Sequence, residues 1–405
     1  MRNMRKIAWY LKAAALLPLA TWNYLKKNRK MGLLAVALIL VIAVGIVGGL
    51  TARHRRNREP APDLAQTTAD QVQTLPPSSA PASTPTPTPA PSPASVTLTF
   101  AGDCTLGMDD NLGYSDSFNE TFDREGPDYF LQAVKPLFEE DDLTVVNFEG
   151  PLTEETDKAD KSFAFKGHAE FAGVLSAGSV EAANLANNHS HDYGDQGYLD
   201  TEEALDRAGI THFGFDDVAV VEAGGVKVGL TGLFTVYEDP QHREDLLANI
   251  QKLKDQGAQV IVACFHWGFE NDYTPEGDQV ALAHAAIDAG AHLVIGHHPH
   301  VVQGVEVYQG RYIVYSLGNF CFGGNYSPPD YDAMIFRQTF TIRDGEVLTD
   351  DEIQVIPCLT SSSVDQNFND YRPVPADGED KQRILEELRD ISEGLGEINI
   401  FAEEQ

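Results

Sequence analysis

Polar side chains that can hold a divalent metal ion follow five apolar segments of the chain. They are Asp103, Asn147 and Glu149, Asn188 and His189, His266, and His298 and His300. In an open α/β sheet, the loops after the carboxyl ends of the strands converge, and ligands bind there. The set combines carboxylate, amide and imidazole groups without thiolates, which suits Mn, Fe or Zn. Their convergence predicts a metal or polar catalytic site.

The spacing of His298 and His300 predicts that both side chains lie on one face of an extended segment, as chelation requires. Two bound ions would need a carboxylate between them, and Glu149 and Asp103 are the candidates. Such a pair, about 3.5–4 Å apart, can clamp both the attacking and the leaving oxygen in ester hydrolysis. We therefore expect two divalent metal ions.

Three neighbouring side chains are predicted to support this site. His191 and His297 are expected to contact a ligand or the substrate rather than an ion, and Asn319 to line the site. Each residue alone also fits a structural role, since an aspartate after a strand commonly forms a turn. Ser316 does not lie in a GxSxG elbow, which argues against a serine hydrolase.

Alternating strand and helix patterns must position these residues. Strands are predicted at 96–101, 143–148, 180–186, 226–234, 259–265, 292–295 and 312–317, and helices at 128–140, 169–177, 198–208, 243–256, 278–289 and 381–392. Two late segments, 334–343 and 346–355, are predicted as antiparallel strands joined by Asp344-Gly345. The alternation predicts an α/β domain with helices flanking a core sheet.

The charge of this domain excludes one class of function. Residues 96–405 contain 17 basic and 58 acidic residues, a net charge of −41. Nucleic acid is therefore excluded as a partner, because no basic face could neutralise its phosphates. The same charge repels a polyanionic ligand unless bound metal reverses the sign locally.

The N-terminal region predicts a membrane anchor. Residues 32–50 are 19 consecutive uncharged residues, long enough to cross a bilayer as a helix, whereas a cleaved signal peptide would be shorter and nearer the start. Eight basic residues precede this run and four follow it, so the N-terminus is expected to be cytoplasmic and the main domain extracytoplasmic. Residues 7–25 fit an interfacial helix; a second span there would return the main domain to the cytoplasm.

A proline-rich segment separates the anchor from the domain. Residues 59–95 hold ten of the 22 prolines, which favours an extended stalk. The predicted organisation is a basic segment at 1–31, a membrane helix at 32–50, an extracytoplasmic linker at 51–95, the α/β domain at 96–360 and an acidic extension at 361–405. The four cysteines lack the spacing of a disulfide framework, and Cys104 and Cys264 are predicted to be buried free thiols.

Taken together, the polar segments resemble the CapA family of poly-γ-glutamate capsule-synthesis proteins, which is related to calcineurin-like metallophosphoesterases. The matching segments are FAGD at 100–103, VNFEGPL at 146–152, LANNH at 185–189, HWG at 266–268, GHHPHV at 296–301 and YSLGNF at 315–320. They keep the order of the family over about residues 96–325.

The resemblance implies a four-layer α/β/β/α sandwich, metallophosphoesterase-like, with a dinuclear metal site. The implied metal ligands are Asp103, Glu149, Asn188, His266, His298 and His300. His189, backed by Asp192, would act as an acid or stabilise the transition state. Residues that would contact these ligands or the substrate are Asn147, His191, Glu270, His297, Gln303 and Asn319.

The implied function is capsule synthesis or export by a single-pass, membrane-anchored extracytoplasmic protein. Its site would hydrolyse a phosphoester or a γ-glutamyl amide, and its partners would be the membrane, an anionic polymer such as polyglutamate, and other capsule-synthesis membrane proteins. The alternative is a non-catalytic module that holds the carboxylates of the polymer. That alternative is favoured by Asp103-Cys104-Thr105, which stands where metallophosphoesterases have Asp-x-His.

Overall fold

The computed structural model describes residues 93–237, 239–348, 352–365 and 368–395. The predicted basic segment, the predicted membrane helix and nearly all of the predicted linker lie outside these residues. In the part of the chain that is described, no helix is both long and apolar enough to cross a membrane.

Seventeen strands and seven α-helices are described. The strands are β1 Ala94–Thr105, β2 Met108–Asp109, β3 Leu143–Phe148, β4 Phe165–Lys166, β5 Ala182–Asn184, β6 Thr211–Phe213, β7 Val218–Ala223, β8 Val226–Phe234, β9 Val260–His266, β10 Leu293–His297, β11 Val305–Tyr308, β12 Arg311–Val314, β13 Asn319–Phe322, β14 Asp332–Arg343, β15 Glu346–Val347, β16 Glu352–Leu359 and β17 Val374–Pro375. The helices are α1 Phe118–Glu125, α2 Lys135–Phe138, α3 Gly173–Ala177, α4 Gly194–Ala208, α5 Pro240–Asp255, α6 Gly277–Asp288 and α7 Gly378–Ser392.

Two large sheets carry the domain, which confirms the predicted α/β class. The first has the order β17-β16-β14-β1-β3-β5-β6, with β13 pairing β1 and β15 pairing β14. The second has the order β11-β12-β10-β9-β8-β7. Strands β1, β3, β5 and β6 run parallel, and so do β8, β9, β10 and β12. The carboxyl ends of each parallel set therefore meet at one edge of its sheet.

Three apolar cores hold the sheets and helices together. One core joins the two sheets, because alternate residues such as Leu98 of β1 and Val262 of β9 belong to the same buried cluster. A second core packs the helical segments, including Phe118 of α1, against the first sheet. The third packs α5 and α6, through residues such as Leu246, against the second sheet. The order of layers is thus helices, sheet, sheet, helices.

One predicted helix is interrupted, and one predicted strand is described only in part. The helix predicted at 128–140 is wrong as a continuous element: a 3₁₀ turn covers Pro127–Tyr129, and α2 starts again at Lys135. Pro136 explains the break, since a residue without a backbone N–H opens a helix more readily than it continues one. The described residues of the strand predicted at 346–355 include β15 and the start of β16, both of which pair with β14, and residues 349–351 lie outside the described ranges.

Part of the predicted acidic extension contributes to this fold. Strand β17 pairs with β16, and Tyr371 is fully buried in the core of the first sheet. Leu388 of α7 belongs to the core between the sheets, and the Ser392 hydroxyl accepts the backbone N–H of Val305 at 3.0 Å. Residues 368–392 are therefore packed with the residues that carry the predicted site.

Candidate metal centre

Asp103 lies at the centre of the site, at the carboxyl end of β1. Gly102 allows this position, because a Cβ there would lie 2.0 Å from the carbonyl oxygen of Gly318. The Asp103 carboxylate is fully buried and accepts hydrogen bonds from the Asn147 amide at 2.8 Å and the backbone N–H of His298 at 3.3 Å. A buried carboxylate held by donors from both sheets fixes the geometry of the centre.

Asn147 of β3 connects Asp103 to the second sheet. Its Nδ2, which donates to Asp103, also lies 3.3 Å from Nδ1 of His266, and its Oδ1 accepts from the Asn184 amide at 2.9 Å. Because Nδ1 of His266 faces Asn147, the other ring nitrogen, Nε2, points toward the loops that follow the strands. Nε2 lies 2.7 Å from Oδ1 of Asn188 and 3.3 Å from Oε1 of Glu149. Asn147 therefore orients His266, as a residue behind a metal ligand does.

Three buried atoms at this centre make no hydrogen bond with a described residue, and one of them, Nδ1 of His297, lies 3.4 Å from the Asp103 carboxylate. The other two are Oε1 of Glu149, which lies 3.3 Å from Nε2 of His266 without forming a hydrogen bond, and Nδ1 of His298. Their residues are 0% and 4% exposed, so water does not replace the missing partner freely. Leaving a buried polar atom unpaired costs about 1–3 kcal/mol. A divalent cation would satisfy both atoms at once, and a carboxylate with an imidazole is a suitable donor pair for Mn, Fe or Zn.

The turn that carries His298 and His300 differs from the extended segment predicted. Both residues have left-handed backbones, with φ of 97° and 58°, which non-glycine residues adopt at an energetic cost. The rings nevertheless converge, with centroids 5.7 Å apart, and the His298 ring lies 4.6 Å from that of His266. Asn319 fixes His300, because its Oδ1 lies 2.9 Å from the ring Nδ1. The local backbone, not strand alternation, brings the two imidazoles together.

Three overlapping groups of side chains could each hold an ion. They are Glu149 with His266 and His298, Asp103 with Glu149 and His300, and Glu270 with His298 and His300. In every group the ligand atoms lie within 4.8 Å of one another. Glu149 belongs to two groups, the position expected of a carboxylate between two ions. Asn188 lies beside the group that contains His266, because its Oδ1 is 2.7 Å from Nε2 of that histidine.

Burial and charge compete within this cluster. Burial alone would raise the pKa of Asp103, but close contacts with the rings of His297 and His300 hold it well below its usual range. Burial, and then the charge of Asp103, raise the pKa of Glu149 to about 8. Burial would lower the pKa of His300, but the charge of Glu149 and contact with Asp103 raise it to about 9. The buried carboxylates thus favour positively charged groups at the centre, such as a protonated imidazole or a bound cation.

His189 and Asp192 form a separate pair beside the ligand groups. Nδ1 of His189 lies 2.8 Å from Oδ2 of Asp192, which also accepts the backbone N–H of Phe165 at 2.7 Å. Burial lowers the pKa of His189, although contact with Asp192 opposes this effect. With Nδ1 directed at a carboxylate, Nε2 is the nitrogen left to exchange a proton.

Lys161 contacts both members of this pair, and it is not among the site residues predicted from the sequence. Its Nζ lies 2.5 Å from Oδ1 of Asp192, 3.0 Å from the backbone oxygen of Asn188 and 3.2 Å from Nδ1 of His189. Three lysines lie within residues 158–166, which is unusual in so acidic a domain. This local excess of basic residues is the sequence feature that could have identified Lys161. Lys161 fixes the loop that presents Asn188 and His189 to the centre.

Two predicted supporting residues lie apart from the centre. The His191 side chain is half-exposed and stacks on Tyr198 with ring centroids 4.8 Å apart. Gln303 is buried and bonds to Gln279 and to the backbone oxygen of Asp272, so it braces the loop after β9. His297, in contrast, lies with its Nδ1 3.4 Å from the Asp103 carboxylate. All four cysteines are buried and free, which confirms the prediction for Cys104 and Cys264.

Comparison with known proteins shows that this chain is similar to capsule synthesis proteins. Residues 97–324 match the model of the family described as bacterial capsule synthesis protein PGA_cap. The chain is 32% identical to the capsule biosynthesis protein CapA of Bacillus anthracis, over 74% of this chain and 74% of that protein. It is 33% identical to the PGA biosynthesis protein CapA of Bacillus subtilis, over 56% and 63%.

Two solved structures are similar at a lower level. A hypothetical protein from Thermus thermophilus is 14% identical, with a TM-score of 0.40 over 64% of this chain and 99% of that one. A structure described as a novel phosphatase from Mycoplasma pneumoniae is 15% identical, with a TM-score of 0.41 over 69% and 97%. TM-scores of this size identify no activity for this chain.

Proposed function

The chain belongs to the bacterial capsule synthesis PGA_cap family, and from this premise we propose that it is a metal-dependent hydrolase of poly-γ-glutamate capsule synthesis or export. The observation that carries the proposal is the cluster of three ligand groups, with the unpartnered buried atoms of Glu149 and His298 inside it. A purely structural cluster would be expected to pair these atoms, because unpaired buried polar groups are costly.

The ligand groups fit two divalent ions of the type Mn, Fe or Zn. Asp103, Glu149 and His300 would hold one ion, and Glu149, His266 and His298 the other, with Asn188 beside His266. Bound in this way, the ions would polarise a phosphoryl or carbonyl oxygen and offset the negative charge that develops on it. Four-layer packing of a metallophosphoesterase type is the fold that would present such a site.

The chain's own residues supply proton transfer and orientation. As an imidazolium, which the Asp192 carboxylate at Nδ1 favours against the effect of burial, His189 would hold a proton on Nε2 for the leaving group. Lys161 would keep the Asn188–His189 loop in place through its three contacts. The preferred substrate is a γ-glutamyl amide of the polymer, because the relatives are named for capsule and PGA biosynthesis.

One observation favours a non-catalytic module instead. Where metallophosphoesterases have the histidine of Asp-x-His, this chain has Thr105, whose hydroxyl lies 3.4 Å from Oε2 of Glu149. A neutral hydroxyl at this position removes one nitrogen ligand and holds the carboxylate by a hydrogen bond. In this second candidate, the metal centre would bind polymer carboxylates without cleaving the chain.

Hydrolysis assays separate the two candidates. Full-length protein loaded with Mn, Fe or Zn is expected to cleave a γ-glutamyl oligomer and to stop when a chelator removes the metal. Product amines and bis-(p-nitrophenyl) phosphate cleavage are measured in parallel, since phosphoester cleavage alone would reassign the substrate class. Tight oligomer binding without cleavage of either substrate would replace the hydrolase with the binding module.

We also propose a single-pass membrane anchor at 32–50, with the main domain extracytoplasmic. The support is the length of the uncharged run and the larger basic cluster before it. A protease added outside intact spheroplasts is expected to remove the main domain while the protein fractionates with membranes. Protection of the domain in intact spheroplasts and its digestion after lysis would place it in the cytoplasm.

A further inference from the structure

A cavity of about 580 Å³ lies next to the metal centre but contains none of its candidate ligands. The loops after β8 and β9 and the first turns of α5 and α6 line it. The backbone N–H of Thr235, in its wall, donates to the carbonyl oxygen of His266 at 2.9 Å. Phe269 lines the cavity, and the next residue, Glu270, belongs to a ligand group of the metal centre. The cavity and the centre therefore share one loop.

The apolar walls of the cavity leave large aromatic side chains uncovered. Tyr237 is 72% exposed and Phe269 is 55% exposed, whereas Trp267 beneath them is buried. Two exposed aromatic residues that line one cavity of this size are typical of ligand-binding sites. Such rings would cover the methylene groups of a ligand.

Polar groups of the cavity also lack partners. Thr235 is 8% exposed, and its Oγ1 makes no hydrogen bond with any described residue. Arg243 and Asp278 are exposed and form no ion pair within the described ranges. Arg243 stands in the first turn of α5, where the helix dipole disfavours a cation. Asp278 stands in the first turn of α6, where the dipole of that helix favours an anion, so Arg243 is the charge that a bound anionic group would account for.

The other two acidic residues that line the cavity are the N-cap residues of the two helices. Asp239 caps α5, because its side chain accepts the backbone N–H of Gln241 at 2.9 Å. Glu276 caps α6 in a reciprocal capping box with Gln279. Arg243, with His242 beside it in the wall, and Asp278 therefore remain as the charged side chains available to a ligand.

We propose that this cavity binds a zwitterionic α-amino acid group, as carried by the amino-terminal residue of a γ-linked glutamate chain. Arg243 pairs with the α-carboxylate, Asp278 with the α-ammonium, and the Thr235 hydroxyl with either group. Interior residues of a γ-linked chain carry the carboxylate without the ammonium, so the cavity selects the chain end. The inference rests on the proposed polyglutamate function, and places that end beside the metal centre.

Calorimetric titration of the full-length protein tests this assignment. The ligands are tri-γ-glutamate, its N-acetylated form and free glutamate. We expect tri-γ-glutamate to bind at least about tenfold more tightly than the acetylated form, because acetylation removes the charge that faces Asp278. Arg243→Gln is expected to weaken binding by at least about tenfold, whereas Arg207→Gln, on the surface of α4, should bind as the wild type does.

Each contrary result overturns a stated part of the assignment. Equal binding of the acetylated oligomer, or no binding of tri-γ-glutamate, removes the chain-end site, and neither result depends on the folding of a variant. Free glutamate binding as tightly as the oligomer assigns the cavity to the amino acid rather than to the polymer. If Arg243→Gln binds tri-γ-glutamate with wild-type affinity, Arg243 does not pair with the α-carboxylate of the ligand. Absence of metal-dependent hydrolysis, with this binding intact, contradicts only the proposed function.

Discussion

Replacement of His298 by alanine is expected to reduce the metal content of the full-length protein from about two ions per chain to about one, because the group of Asp103, Glu149 and His300 is left intact. His298 belongs to two of the three ligand groups, and its Nδ1 is a buried atom without a hydrogen-bond partner among the described residues. Losing a residue that only supports a ligand already weakens metal binding by about 10–100-fold. Loss of the ligand itself should weaken it by at least as much.

Elemental mass spectrometry on protein purified without chelators or a histidine tag measures this effect. His191→Ala is the matched control, because that histidine is half-exposed and stacks on Tyr198 away from the ligand groups. Circular dichroism of both variants checks that the fold is retained. Wild-type metal content in a folded His298→Ala protein would exclude His298 as a ligand, and equal loss in His191→Ala would contradict the assignment of the centre.

The long parallel strands could be predicted because their sequence pattern is local. Runs such as 143–148 and 226–234 are mostly apolar and mostly buried, and the observed strands have the same limits. Strand β13 gave no such signal. Its four residues become a strand only by pairing with β1, more than 200 residues earlier in the chain, and this pairing places Asn319 opposite Asp103.

The site could be predicted as far as it depends on strand ends. Asp103 and Asn147 lie on neighbouring parallel strands, so the carboxyl edge of the first sheet brings them together. His266 ends a parallel strand of the second sheet, and its contact with Asn147 depends on how the two sheets pack. The positions of the loop residues depend instead on tertiary contacts. Lys161 reaches the site from a loop, and the approach of Glu270 to His298 depends on packing that has no periodicity in sequence. The left-handed backbone at His298 and His300 likewise follows from tertiary constraints.

Replacement of His189 by alanine is expected to slow metal-dependent hydrolysis by about 100–10,000-fold while the metal content stays unchanged. The side chain belongs to none of the three ligand groups found among the described residues. Its Nδ1 is directed at Asp192, which leaves Nε2 to give a proton to the leaving group. The variant therefore removes proton transfer and leaves the metal ligands in place.

Turnover and metal content must be measured on the same preparation of His189→Ala, with His168→Ala as the control. His168 is an exposed histidine that pairs with Glu154 outside the centre. Retained metal and oligomer binding with collapsed turnover would support His189 as the acid and the protein as an enzyme. Joint loss of metal and turnover would make His189 a ligand instead. Unchanged turnover would contradict both roles, since a group that transfers a proton in the slow step cannot be removed without cost.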